Sequence, residues 1–316
     1  MSGVEHLTEL HGLPVHEFGP EDRKEPLPAA GDVAWRLSVD AYEEEEEFLE
    51  RYDRFVAAID PAGVRGLVIG QWGESYEGDS SEIVERLVAD AGRFPALRAL
   101  FVGDLEQEEA EISWIEQSDL TPLLKAYPAL EEFGVRGGTG LVLEQFRHEM
   151  LRTLTFEAGG LPAAVVRALG ASELPALKYL ELWLGVSEYG GDATAADLAP
   201  LLAGGRFPAL RHLGLRNSEI QDEVASAVAA APVVAQLNSL DLSLGVLTDT
   251  GAEALLGGQP LTHLQWLDLH HHFLSDAMTA RVREALEPHG VEVDVSEQET
   301  PDNWDGREWR YTAVSE

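Results

Sequence analysis

Apolar positions along this chain keep returning to one short phrase, Leu-x-x-Leu-x-Leu. It stands at Leu97-Leu100-Val102, Leu130-Phe133-Val135, Leu151-Leu154-Phe156, Leu177-Leu180-Leu182, Leu210-Leu213-Leu215, Leu237-Leu240-Leu242 and Leu264-Leu267-Leu269. Fainter copies occupy Val64-Leu67-Ile69 and Ala34-Leu37-Val39. Counted from Ala34, successive first positions are separated by 30, 33, 33, 21, 26, 33, 27 and 27 residues. The end of the phrase alternates like a strand, and apolar residues at helical spacing follow it. After Leu242 come Leu247, Ala252, Leu255 and Leu256; after Leu269 come Leu274, Met278, Val282 and Leu286. Each unit therefore predicts strand, turn and helix, and repetition at this period predicts a solenoid.

The unit boundaries carry matching punctuation. Proline precedes several strands (Pro95, Pro128, Pro175, Pro208), and Ser218 or Asp222, Thr248 or Asp249, and Ser275 stand where helices should begin. A first strand is expected at 33–39, and a helix from near Tyr42 buries Phe48, Tyr52, Phe55 and Ile59. The Glu43–Glu47 run opens that helix, where acid suits the positive end of the helix dipole. Val291-Val293-Val295 reads as the last strand. The 21-residue step is too short for a full helix, so its return should be stunted. Residues 103–124 and 183–198 are insertions, either packed into the core through Ile112 and Trp114 or closing one side of the inner face, where Tyr189 could add a contact. Three regions result: a cap and connector at 1–32, the solenoid at 33–295, and a tail at 296–316. Trp304, Trp309, Tyr311 and Val314 are unusual for a free tail, so its end is expected to dock on the body.

Alternation sends the repeated leucines to one side of each strand and the residues between them to the other. Three columns then line the second face. They are Tyr179, His212, Ser239 and Trp266; Glu181, Gly214, Asp241 and Asp268; and Trp183, Arg216, Ser243 and His270. Earlier units contribute Gly66, Val68, Gly70, Ala99, Phe101 and Gly103, which concentrates the chemistry in the C-terminal half. Aromatic rings and arginine are the residue types that binding surfaces use as anchors. Asp241 and Asp268 should be neighbours, so one must take a proton or share a cation. Arg216, His212 and His270 are available for that, and Glu181, Asp241, Asp268 and His270 could alternatively hold a divalent metal. Alternation turns His270 inward and carries His271 and His272 into the turn. A Ser–His–Asp arrangement from Ser239 or Ser243 would lack an oxyanion donor, because sheet N–H groups are spent in the ladder.

Composition narrows the partner. With 57 acidic and 22 basic residues the net charge is −35, which disfavours nucleic acid and anionic membrane; it suits a basic protein or a cation as partner, or else serves only to keep the protein in solution. The chain has no cysteine, hence no thiol chemistry, and no cofactor is expected. The first twenty residues show neither a basic leader nor an apolar core, so a cytoplasmic location is the expectation.

The units LSLGVLTDTGAEALL (242–256) and LHHHFLSDAMTARVREAL (269–286) resemble the ribonuclease-inhibitor class of leucine-rich repeats. That resemblance covers residues 33–295 and implies an α/β horseshoe with parallel strands on the concave face and helices on the convex face. Ser218, Gly245 and His272 stand where that class places Asn or Cys, which implies a weakened or replaced polar ladder. RGLVIGQWGESYE, EISWIEQSDLTPLL, ELWLGVSEYGG and LDLHHHFLSD further resemble a family of bacterial, largely actinobacterial, leucine-rich-repeat proteins. Genes of that family often neighbour those of radical-SAM enzymes and a hydrolase, which implies a second expectation: a metal- or small-molecule-binding accessory protein or enzyme of a biosynthetic cluster. The first expectation is a non-enzymatic recognition protein. It binds a protein or peptide through Tyr179, Glu181, Trp183, His212, Arg216, Asp241, Trp266, Asp268 and His270.

Overall fold

Strands follow one another across a single sheet in the order in which they occur along the chain. The computed structural model describes residues 4–19, 26–40, 46–73 and 78–315. An antiparallel hairpin, β1 (Glu9–Leu10) and β2 (Leu13–Glu17), opens the sheet. Parallel partners follow from β2 onward: β3 (Ala34–Leu37), β4 (Gly66–Ile69), β5 (Ala99–Val102), β6 (Glu132–Arg136) and β7 (Thr153–Glu157). Then come β8 (Tyr179–Gly185), β9 (His212–Ser218), β10 (Ser239–Asp241), β11 (Trp266–Asp268) and β12 (Glu292–Asp294). Helices fill most returns: α1 (Phe48–Ala58), α2 (Ser81–Ala89), α3 (Thr121–Ala126), α4 (Ala163–Ala171), α5 (Ala195–Leu202), α6 (Gln221–Ala229), α7 (Asp249–Gly257) and α8 (Asp276–Leu286). The expected helix start at Tyr42 lies outside the described residues, and Glu47 is the N-cap of α1.

One continuous core joins the strand leucines to the helices, from Phe18 to Val295. Leu154, Leu182, Leu215 and Leu240 are fully buried against residues such as Val165, Leu198, Val224 and Ala252. Burial of an apolar side chain of this size contributes about 1.5–3 kcal/mol, so the repeated phrase is what holds each coil to its helix. The short return between β6 and β7 contains no helix. It runs extended, bridging Thr139 and Val142 to Glu116 and Asp119, and Arg147 to Glu173.

Successive turns are stitched by polar groups other than the expected Asn or Cys. His272 is fully buried, its Nε2 lies 3.1 Å from the Val295 carbonyl, and its Nδ1 accepts from Leu274 N–H at 3.1 Å. Within a single unit, Gln221 donates to the Leu215 carbonyl at 2.9 Å, tying the start of α6 to its own strand. Acids near helix starts serve the following unit. Asp222 accepts from Thr248 N–H (2.8 Å), Thr248 Oγ1 (2.5 Å) and Gly251 N–H (3.1 Å). Asp249 does the same for Ser275 N–H and Oγ, both at 2.8 Å. Ser275 itself caps α8, accepting from Met278 N–H.

The last residues fold back over the strand ends. A separate antiparallel ribbon, β13 (Asp302–Trp304) with β14 (Arg307–Trp309), leaves Trp304 and Trp309 exposed. Beyond it the Ala313 N–H donates to the Leu244 carbonyl at 2.8 Å. Asn217 grips Val314 twice, its Nδ2 donating to the carbonyl and its Oδ1 accepting from the N–H at 3.1 Å. Val314 packs with Leu105, Ile112, Ile115, Trp183 and Leu244. Ile112 of the first insertion is therefore buried while Trp114 stays half exposed.

Candidate functional site

On the sheet face opposite the helices, the parallel register aligns the three columns residue by residue. Tyr179 pairs with His212, His212 with Ser239, and Ser239 with Trp266. Glu181 pairs with Gly214, Gly214 with Asp241, and Asp241 with Asp268; Trp183 pairs with Arg216. The middle column continues onto β12, where Asp294 pairs with Asp268. Sequence reasoning left Asp294 out, although the Val291-Val293-Val295 alternation puts it on this face.

The first column is a row of rings. Tyr179 and His212 stack with centroids 4.0 Å apart and planes 5° from parallel, and Trp266 lies 6.3 Å beyond. Tyr179 and Trp266 are part-exposed and His212 is 7% exposed. The middle column is acidic and deeply set: Glu181, Asp241 and Asp268 are 5%, 2% and 4% exposed.

Arg216 bridges this column. It donates to Glu181 Oε1 at 2.8 Å and to Ser243 Oγ at 2.9 Å, sits 3.2 Å from Asp241 Oδ2, and lies over the Trp183 ring. Glu181 also accepts from Trp183 Nε1 at 2.7 Å and from the Tyr179 hydroxyl. Burial works against its charge, but Arg216 and these donors outweigh burial and hold its carboxyl below the ordinary range. Asp241 has less help. Burial pushes it up to about 6 against Arg216, with Asp268 adding repulsion. Asp268 is paired instead with His270, Oδ1 to Nδ1 at 2.7 Å, and that bond raises the imidazole. Burial lowers His212 to about 4, so its ring is neutral near pH 7.

Trp183 is only 9% exposed, packed beneath Val314, Ile112 and Ile115. Its ring supports Glu181 and Arg216 from below the tail. The catalytic arrangement weighed for Ser239 is incomplete: His212 Nδ1 meets Ser239 Oγ at 2.8 Å, but no described residue orients Nε2. One other group has ligand atoms near enough for a metal, with Asp268, His270 and Asp294 all within 4.8 Å of one another.

The N-terminal half of this face carries more chemistry than its small and apolar residues suggested. Asp104 is fully buried and accepts from Arg36 Nε at 3.0 Å and Leu7 N–H at 2.9 Å. Arg136 donates to Glu157 at 2.7 Å and to the Glu5 and Leu105 carbonyls. His6 lies between Asp104 and Glu109, whose bonds raise it to about 9. This half is thus covered by residues 5–7 of the same chain and internally paired.

A Bacteroides fragilis protein of solved crystal structure superposes on this chain with a TM-score of 0.77 at 33% identity. The match covers 85% of this chain and 76% of that one. This chain belongs to the family of that protein. An internalin from Listeria monocytogenes shares 16% identity over 75% of this chain and 69% of its own, but its TM-score of 0.38 supports no argument. No protein-family model matches the chain, and no curated protein does.

Proposed function

We propose that this protein is a non-enzymatic recognition protein that binds a basic protein or peptide segment along the C-terminal half of the open sheet face. The observation that carries this is a charge imbalance beside a row of rings. Glu181, Asp241, Asp268 and Asp294 stand along one register line, with Gly214 between the first two; Arg216 is the guanidinium among them, and His270 pairs with Asp268. Adjacent strands are about 4.8 Å apart, so an extended peptide crossing them could set basic side chains over the acids and lay its stems on Tyr179 and Trp266. The reading takes the coil as a leucine-rich-repeat solenoid of the ribonuclease-inhibitor class, curved so that this face is concave. The in-order parallel sheet and the 21–33-residue repeat steps support that assignment. It also keeps the expectations of a bacterial, cytoplasmic setting and of no nucleic-acid or membrane partner. Among the described residues, no helix is long and apolar enough to cross a membrane.

A peptide array graded from acidic to basic tests the proposal. Basic peptides should be retained, and Trp266→Ala combined with Asp294→Asn should abolish retention, while Glu253→Gln on the helical side changes nothing. Retention blind to peptide charge, or lost through the helical-side variant, would overturn it. A second reading, a metal-dependent accessory protein, rests on the Asp268–His270–Asp294 group. Stoichiometric Zn²⁺ or Mn²⁺ binding that is lost on Asp268→Ala would favour it.

A further inference from the structure

The last residues cross the sheet coil by coil, beside the C-terminal ends of β9, β10 and β11. The Tyr311 carbonyl meets His271 Nε2 at 3.1 Å, Ala313 N–H donates to the Leu244 carbonyl at 2.8 Å, and the Asn217 amide holds Val314. Asn217, Leu244 and His271 recur at the 27-residue step of the last repeats, all in the left-handed region with φ of 53°, 64° and 51°. The tail thus takes one equivalent position from each of three successive coils. The Ser315 carbonyl then lies against Gly159, where any side chain would collide with it. An extended segment laid across neighbouring strands is what the proposed function asks of a partner, and the chain supplies one itself.

This lane adjoins the acidic column. Val314 is buried in a seat of Leu105, Ile112, Ile115, Trp183 and Leu244. Trp183 Nε1–H donates to Glu181, and the Arg216 guanidinium lies over the same ring. The attachment is thin. Of residues 311–315 only Thr312 and Val314 are buried, and the ribbon before them is exposed throughout. The seat asks little of an occupant: an N–H for the Leu244 carbonyl, a peptide unit for Asn217 and one branched apolar side chain.

We infer that residues 311–315 are an autoinhibitory strap, occupying in cis a lane that a bound peptide takes in trans. The partner sets a branched apolar residue where Val314 sits, and its basic residues lie alongside the acidic column. This rests on the function proposed above and adds a second requirement to it. Room for the partner comes from the strap's departure, which frees the Asn217 amide, the Leu244 carbonyl and the surface of Trp183 together. A lane open in only about a tenth of the molecules weakens apparent affinity about tenfold.

The chain has no cysteine, so Ser315→Cys provides a single thiol for a nitroxide whose EPR line shape reports whether the strap is held. The probes are acetyl-Arg-Val-Arg-Val-Arg-amide and acetyl-Arg-Gly-Arg-Gly-Arg-amide, with affinities measured by calorimetry on unlabelled protein. The valine peptide should free the label as it binds, and the glycine peptide should leave it held. Ala313→Pro removes the N–H given to Leu244, Val314→Ser empties the seat, and neither changes the charge. Each should loosen the label and tighten the valine peptide about tenfold, with the glycine peptide unchanged. Either variant decides the matter if the other does not fold. A valine peptide that binds while the label stays held overturns the strap, as does a loosened label without a gain in affinity. The tail is then a structural clasp alone, and the face itself stands if Trp266→Ala with Asp294→Asn still abolishes peptide binding. If neither peptide binds the wild type or the loosened variants, the proposed function falls and the strap with it.

Discussion

Single residues here carry charges that only their neighbours make tolerable. His6 is the clearest case. Its folded value of about 9 lies above the ordinary 6.5, so the folded state holds its proton more tightly than the unfolded chain. The resulting stabilisation is fully present below pH 6.5 and is lost as pH rises through about 9. Denaturant titrations at both ends of that window should show a loss of roughly 2 kcal/mol in the wild type and little of it in His6→Gln. His212 has the opposite sign: held at about 4, it favours folding above pH 6.5 and withdraws that support as pH falls toward 4. At the tail, Asn217 has φ 53° and both its amide atoms on Val314. Asn217→Gly keeps the left-handed backbone and removes the grip. Tryptophan emission should shift to the red as Trp183 is uncovered, and stability should fall by about 1–3 kcal/mol.

At the scale of elements, the strands were plain in the sequence because a period of two cannot disguise which side faces the core. Leu154, Leu180 and Leu213 bury, Tyr179, Glu181 and His212 turn away, and the columns follow from that alone. The shortened return was also legible, since a 21-residue step leaves no room for a full helix. Other features depend on contacts between distant segments and leave no local mark. Arg36 and Asp104, 68 residues apart, meet under His6, and nothing near Trp183 announces that Val314 will cover it. The sequence offers Asp222 and Asp249 only as alternatives to Ser218 and Thr248 for capping their own units, yet both acids satisfy donors of the next. Asp222→Ala should therefore act on α7 rather than α6. It leaves the Thr248 and Gly251 N–H groups short of an acceptor, costs about 1–2 kcal/mol, and should speed hydrogen exchange in residues 248–252.

For the whole molecule, a net charge of −35 means that compaction gathers like charges. Raising salt from about 10 mM to about 500 mM shortens the screening length from roughly 30 Å to a few ångströms. The melting temperature should rise accordingly, and a flat or falling response would mean that the internal ion pairs outweigh the repulsion. Salt should weaken capture of a basic partner over the same range. Linear arrays of coils ordinarily fray from their ends, because each unit touches only its neighbours. Here the final residues cross back to Asn217, 97 positions earlier, and to Ile112 farther still. Loosening the last coil therefore also loosens the middle of the array. Loss of structure should thus spread in larger cooperative steps than stacking alone would give, and refolding must wait for a late, long-range closure.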